Sequence, residues 1–194
     1  MRRERIHELH FIAAFRNVSS ILEHGILCHE RAQSIAHASV ANDEIQQRRA
    51  HVEVPGGLAL HRYANLYVDA RNAMLYSLLR SADEPLAVLG VDPTVLDDAA
   101  VVVTDRNAAS GTALFLPADE GIAELDERLV FARWWDESLD ARQRRQAEVL
   151  VPERVEPELV TRAYVSHDEH RAKLEELIAR RRPVVVYPYL FFRE

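Results

Sequence analysis

Apolar residues along the chain fall into short β-branched or aliphatic runs and into longer stretches spaced at helical intervals. Runs of the first kind predict strands at residues 6–12, at "NLYVD" (65–69), "LAVLGV" (86–91), "AVVVT" (100–104) and "AEVLV" (147–151). Two more follow at "LVTRAYV" (159–165) and "PVVVYPY" (183–189). Helical spacing joins Val18, Ile21 and Leu22 on one face, with Asn17 as the expected N-cap and Gly25 as the stop. Asn72 is expected to cap a second helix that turns Leu75, Leu78 and Leu79 inward. A third opens at "SHDE", where Ser166 and Glu169 have capping-box spacing, and runs through Leu174, Leu177 and Ile178. The arginines at 180–182 would face the negative end of its dipole, and Pro183 would stop it.

Strands and helices are mixed, with most strands in the C-terminal half, so the expected class is α+β rather than a regular βαβ alternation. No repeat, low-complexity tract or Ser/Gly linker divides the chain, so residues 1–194 are read as one domain. Residues 30–62 are polar, with "VPGG" at 54–57 as a turn. So long a connection inside a compact domain is usually functional or disordered.

Composition narrows the class further. Hydrophobic residues make up 48% and charged residues 28%, an ordinary globular balance. No apolar run approaches the roughly 20 residues of a membrane span. The start "MRRERIHELHF" has basic residues but no apolar stretch behind them, unlike a signal peptide. A single cysteine, Cys28, rules out an internal disulfide framework, and the expected location is the cytoplasm. Net charge of −7 speaks against a protein that coats nucleic acid nonspecifically. Arginines nevertheless cluster at 2–5, 48–49, 142–145 and 180–182, so a local basic groove on an acidic body is compatible with the sequence. Lys173 is the only lysine, which fits either a GC-rich genome or selection for planar phosphate contacts.

No Gly-rich phosphate loop of Walker or dinucleotide type is present. The pairs His7/His10 and His167/His170 lack a convincing third ligand, so no metal is expected. Three polar features remain. His10 interrupts the apolar run "LHFI", Arg48 and Arg49 sit inside the long polar connection, and Glu148 opens a core strand directly after a basic stretch. Each has a plain structural explanation: a hydrogen-bonded core histidine, a solvated helix face, a strand end paired with one of the chain's own arginines.

Four segments in order change the balance. "LHFIAAFRNVSSILEHGIL" (9–27), "SIAHASVANDEIQQRRAHVEVPGG" (34–57), "LHRYANLYVDARNAMLY" (60–76) and "RRQAEVLV" (144–151) together resemble the DarT-type DNA ADP-ribosyltransferases, the toxin half of bacterial toxin–antitoxin systems. The third segment departs in "LYVDARNA", where a more aromatic strand is expected and often a proline. Residues 105–146, which in this family shape the substrate site, do not match closely.

The resemblance implies an ADP-ribosyltransferase fold with a split β core: two small, roughly perpendicular sheets, flanking helices, and NAD in the cleft between. It implies a pentosyl transfer from NAD, a consumed co-substrate, to a thymidine or guanosine base of single-stranded DNA. Glu148 would be the catalytic carboxylate and Arg49 would act with it while holding the NAD phosphates. His10, Tyr67, Arg71 and Tyr76 would border NAD, and Met74 would lie near the substrate. Arg142, Arg144 and Arg145 would meet the DNA backbone, with Trp134 and Trp135 as a base-stacking surface or as packing of the loop onto the core. A macrodomain antitoxin of the DarG type would be the partner, with no membrane and no metal. RNA or protein as acceptor, or a non-catalytic binding module that keeps the fold, are the alternatives.

Overall fold

The computed structural model describes residues 1–40, 42–133 and 138–193. In chain order the regular elements begin with β1 (Leu9–Ala14), α1 (Phe15–His24), β2 (Ile26–Leu27), α2 (His29–Ala32), α3 (Asp43–Arg49) and β3 (Tyr63–Tyr67). Next come α4 (Ala73–Ser81), β4 (Leu86–Val91), β5 (Val102–Thr104), β6 (Phe115–Pro117), α5 (Ala118–Glu124), α6 (Glu127–Val130) and α7 (Leu139–Arg144). The chain closes with β7 (Glu148–Pro152), β8 (Arg154–Val155), β9 (Val160–Val165), α8 (Asp168–Leu177) and β10 (Val184–Val186). The α+β expectation holds. Among the described residues, no helix is long and apolar enough to cross a membrane.

Eight strands form one sheet in the order β10-β9-β4-β1-β3-β7-β5-β6, antiparallel except for β9 and β10, and β2 pairs with β8 apart from it. The expected split is present as a weak seam rather than as two detached sheets. β1 pairs with β4 over six residues and β3 with β7 over five, whereas β1 and β3 share the single pair His10↔Tyr67. Beyond that pair the two strands diverge, and the seam opens into a fork.

Side-chain alternation assigns the faces. Leu9, Ala13, Leu66, Leu89, Val103 and Val149 belong to the largest apolar cluster, with Phe15 and Val18 of α1, Ile122 of α5 and Leu174 of α8. The opposite face carries two smaller clusters. One joins Ile12, Tyr67 and Val88 to Leu75 of α4 and to Leu190 and Phe191; the other joins Tyr63 and Leu150 to Val54 and Leu60. β4 is buried along its whole length, as expected of a run without polar residues.

Several local expectations change. The first strand starts at Leu9, and Arg3–Arg5 form a 3-10 turn before it. Asn17 lies within α1 and does not cap it. Its amide nitrogen donates to the Ala38 carbonyl at 2.7 Å, and its oxygen accepts from the Ala38 N–H at 2.9 Å, so it pins the long polar segment. That segment is partly helical, as α2 and α3. Asn72 caps α4 as expected, accepting from the Leu75 N–H at 3.1 Å. Leu79 and Leu177, however, are 38% and 44% exposed, because those helices bury a narrower stripe than the spacing allows. Ser166 forms no capping box; its hydroxyl bonds instead with the Nδ1 atoms of His167 and His170.

Gly25 ends α1 at φ +85°, and a Cβ there would lie 2.2 Å from the Val155 carbonyl oxygen. Both features demand glycine, so Gly25→Ala is expected to cost about 1–3 kcal/mol. A drop in the urea midpoint at unchanged m-value would show it.

Candidate active site at the sheet fork

Residues directly opposite one another in adjacent strands share a face. His10↔Tyr67, Tyr67↔Glu148 and Glu148↔Thr104 are such pairs, so β1, β3, β7 and β5 present one transverse row: His10, Tyr67, Glu148, Thr104. The register therefore brings a histidine, a phenol and a carboxylate from three distant parts of the sequence to the seam. Glu148 is held by its backbone on both sides, and its N–H also donates to the Thr104 hydroxyl at 3.3 Å.

Arg49 completes the group from the last turn of α3. It is 5% exposed, and its Nη1 donates to both oxygens of the fully buried Glu148 carboxylate at 3.3 and 3.0 Å. Asn42 caps α3 by accepting from the Ile45 N–H, which fixes where the helix begins and so which face carries Arg49. Burial pushes the Glu148 carboxyl above its ordinary range; the Arg49 charge and hydrogen bond and the Ala108 N–H oppose this without cancelling it. Burial and the neighbouring Glu148 charge also raise the Tyr67 phenol, whose hydroxyl donates to the Met74 sulfur at 3.0 Å. His10 is lowered by burial, against the opposing pull of Asp69 and Glu8.

A cavity of about 420 Å³ fills the fork, a size typical of small-molecule sites. Phe11, Ile12 and Ala13 of β1 line one side, and Tyr63, Asn65 and Tyr67 of β3 the other. Arg49 and Met74 also line it. Because β1 and β3 no longer pair there, the fork is bounded by strand edges. Two cavity-lining side chains keep buried polar atoms without a hydrogen-bond partner, Gln46 Oε1 and His61 Nε2, and the Nδ1 of His10 at the seam is a third. Polar atoms left so are costly, and a ligand rich in hydroxyl and amide groups would satisfy them.

The other expected site residues divide. Glu148 reaches the cavity through Arg49 and does not line it, and His10 sits at the closed end of the fork. Arg71 and Tyr76 do not line the cavity and pack with the C-terminal segment: Arg71 against Tyr189 and Phe192, Tyr76 against Phe192. Arg145 is 4% exposed; it donates to the carbonyls of Arg71 and Ala132 and lies 3.4 Å from Asp69. Its guanidinium is thus embedded in the protein rather than presented to solvent. Arg142 is exposed, and Arg144 pairs with Asp140 at 2.8 Å. Trp134 and Trp135 lie outside the described residues.

Sequence reasoning passed over Gln46, Asn65, His29 and His61. Gln46 lies one turn before Arg49 on the same helix, a signal that helical spacing could have supplied. The His29 and His61 rings lie 4.2 Å apart between centres, tilted at 38°; burial lowers both, with the charges of His37 and Arg49 adding to it at His29 and those of His29 and Arg49 at His61, and nothing in the sequence links them.

Comparison with known proteins now bears on this geometry. The profile of a family described as "ssDNA thymidine ADP-ribosyltransferase, DarT" matches residues 10–192. The chain belongs to the DarT family. A DNA ADP-ribosyl transferase–DNA ADP-ribosyl glycohydrolase fusion protein of Thermosipho africanus is 34% identical over 194 residues, 97% of this chain and 50% of the relative. The chain thus spans about half the length of that relative. The solved structure of Thermosipho africanus DarTG with ADP-ribose superposes with a TM-score of 0.86 at 32% identity, over 96% of this chain and 51% of the other. Thermus sp. 2.9 DarT in complex with ADP-ribosylated single-stranded DNA gives 0.83 at 25% identity, covering 96% and 97%. These DarT structures match the mixed fold and its large, mostly antiparallel sheet.

Two outcomes are expected from the geometry. Glu148 should titrate above the ordinary carboxylate range, and Arg49→Gln, by removing a partner that favours the anion, should move it higher still; carboxyl carbon NMR against pH reads both. Arg145→Ala should lower unfolding free energy by about 1.5–3 kcal/mol, the worth of hydrogen bonds from a charged group, while Arg142→Ala should leave it nearly unchanged in a denaturant titration.

Proposed function

We propose that the protein transfers ADP-ribose from NAD to thymidine in single-stranded DNA, with Glu148 as the catalytic carboxylate, and that it serves as the toxin of a toxin–antitoxin pair. The observation that carries this reading is the buried Arg49–Glu148 pair beside the closed end of the fork, in a chain of the DarT family. Transfer breaks the bond between nicotinamide and its ribose, and positive charge grows on the ribose ring as it does so, as at other glycosidic centres. A carboxylate held rigidly beside that ring stabilises the charge. It also accepts the proton from the attacking base nitrogen, so the base leaves as a neutral adduct and nicotinamide departs with the electrons of its bond to the ribose.

Arg49 gives the site its resting state. Its guanidinium neutralises Glu148 until a diphosphate competes for the same donors, for which a planar fork suits better than an ammonium. Movement of Arg49 toward the phosphates would leave the carboxylate to the ribose. Gln46, His61 and His10 supply the hydrogen bonds that hold the ribose hydroxyls and the carboxamide, and Tyr67 packs beside the nicotinamide. Chemistry on a base requires that base to be unstacked, which favours a single strand over duplex DNA. Arg142 and Arg144 meet the strand near the reacting carbon. The partner in this reading is a glycohydrolase of the kind fused to the Thermosipho relative, which would reverse the modification.

Incubation of the protein with NAD and a mixed-sequence single-stranded oligonucleotide, followed by mass spectrometry, is expected to show a gain of one ADP-ribose on thymidine. Glu148→Ala should remain folded and lose at least about a hundredfold in rate, the scale of a lost transition-state charge partner. Wild-type turnover in that variant would remove Glu148 from the mechanism. Nicotinamide release without DNA modification would redirect the acceptor to RNA or protein.

A further inference from the structure

Residues 105–114, the connection between β5 and β6, fold back on a single carboxylate. Asp105 and Arg106 open this loop, and both are buried despite their charge. Asp105 Oδ2 accepts from the Arg106 Nε and Nη2 at 3.0 and 2.8 Å, and Arg144 Nη1 lies 3.8 Å from the same oxygen. The other oxygen, Oδ1, accepts the Leu114 N–H at 3.0 Å, so the first residue of the loop holds the last. Arg106 carries the staple across to α7. Its Nη1 donates to the Gln143 Oε1 at 3.0 Å and to the Thr112 hydroxyl at 3.4 Å, and lies 3.3 Å from Asp140 Oδ1. Asp140, Gln143 and Arg144 all belong to α7.

The staple borders Glu148 on two sides. Thr104, fully buried and directly before Asp105, donates its hydroxyl proton to the Arg106 carbonyl at 2.7 Å and accepts the Glu148 N–H at 3.3 Å. Two residues beyond Arg106, the buried Ala108 turns its N–H toward the Glu148 carboxylate. It sits in a turn closed by Asn107, whose side-chain oxygen accepts the Ala109 N–H and whose carbonyl accepts the Ser110 N–H, both at 2.9 Å. On the other side α7 leads through Gln146 and Ala147 into β7, whose first residue is Glu148. Asn107 and Gln146 both line the cavity, one beyond each end of the staple. A buried ion pair adds little net stability, because both charges lose their hydration. What a guanidinium closed on one carboxylate does supply is a defined geometry.

We propose that Asp105 is a positioning residue for the reaction: it fixes the 105–114 loop and α7 against each other, and thereby fixes the Glu148 carboxylate between them. This rests on the reading of Glu148 as the catalytic carboxylate. Among the described residues Asp105 makes no hydrogen bond to Glu148 and does not line the cavity, so it acts through Arg106 and through the backbone that carries Thr104 and Ala108. Without its charge, the buried Arg106 keeps only Asp140 as an ionic partner, a side chain that is itself 59% exposed. The Leu114 end of the loop is freed as well, and the Ala108 N–H withdraws from Glu148. A carboxylate that loses a donor ionises less readily, so less of Glu148 is in the anionic form that the developing ribose charge requires.

The test compares Asp105→Ala and Asp105→Asn with wild type by two readouts that stability alone does not move. One is the titration of Glu148, followed by carboxyl carbon NMR; the other is kcat with saturating NAD and a single-stranded oligonucleotide. Asp105→Ala should titrate Glu148 at higher pH and lower kcat on the order of tenfold to a hundredfold, the scale of a slightly misplaced catalytic group. Asp105→Asn keeps an acceptor for the Leu114 N–H and should fall between Asp105→Ala and wild type. The acidic limb of the rate profile, where Glu148 must ionise, should move to higher pH in the same order. Arg49 from α3 and Tyr67 from β3 also face Glu148, but neither bonds to Asp105 or Arg106 among the described residues, so the shift reports the loop. A thermal melt sets a temperature at which each variant is folded; if Asp105→Ala is not, Asp105→Asn alone makes the comparison. A lower melting temperature with wild-type kcat and an unmoved Glu148 titration makes Asp105 a part of the fold only and overturns the proposal. Glu148→Ala distinguishes that result from failure of the underlying reading. If that variant turns over at the wild-type rate, Glu148 is not the catalytic carboxylate and the proposal falls with it.

Discussion

The single pair His10↔Tyr67 is the constraint on which the site depends. A fully paired β1–β3 seam would close the fork and leave no space between Phe11–Ala13 and Asn65. A fully broken seam would release the register that aligns His10, Tyr67, Glu148 and Thr104 in one row. One pair keeps the alignment and still lets the strands diverge. The cavity is therefore a product of sheet topology, and the loops that cover it are held from outside, notably by Asn17 on Ala38.

Within that frame the Arg49–Glu148 pair is a poor stabiliser. Two charges removed from water lose several kcal/mol of hydration each, which their attraction does not reliably repay. The raised Glu148 pKa expresses the same imbalance: burial outweighs the arginine beside it. A pair so balanced is sensitive to any anion that competes for the guanidinium. Strained ionisation of this kind is typical of functional sites more than of cores.

The arginines show why residue type alone does not assign a role. Arg142, Arg144 and Arg145 are neighbours in sequence and end in three environments: exposed, paired with Asp140 at a helix surface, and buried against the carbonyls of Arg71 and Ala132. Helix geometry separates them by about 100° per residue, and only the way α7 and its C-cap pack against their neighbours decides which one points inward. Arg71, grouped by its motif with the cofactor residues, packs against Tyr189 and Phe192 of the C-terminal segment.

The sequence by itself determined the α+β class, the helix stop at Gly25, the cap at Asn72, the strands β4, β5, β7, β9 and β10 but not the short β6 and β8, and the singling out of His10, the Arg48–Arg49 pair and Glu148. These are local signals: a glycine where φ must be positive, an amide before a helix, β-branched runs, a charge at the edge of an apolar stretch. The tertiary structure alone decided that Tyr67 lies between His10 and Glu148, that the seam is one pair long, and that Gln46 and His61 join the cavity. It also decided that Asn17 clamps a loop rather than capping a helix. Register and packing of elements far apart in the chain set those relations, and a one-residue slip of β3 would turn Tyr67 to the opposite face without changing any local pattern.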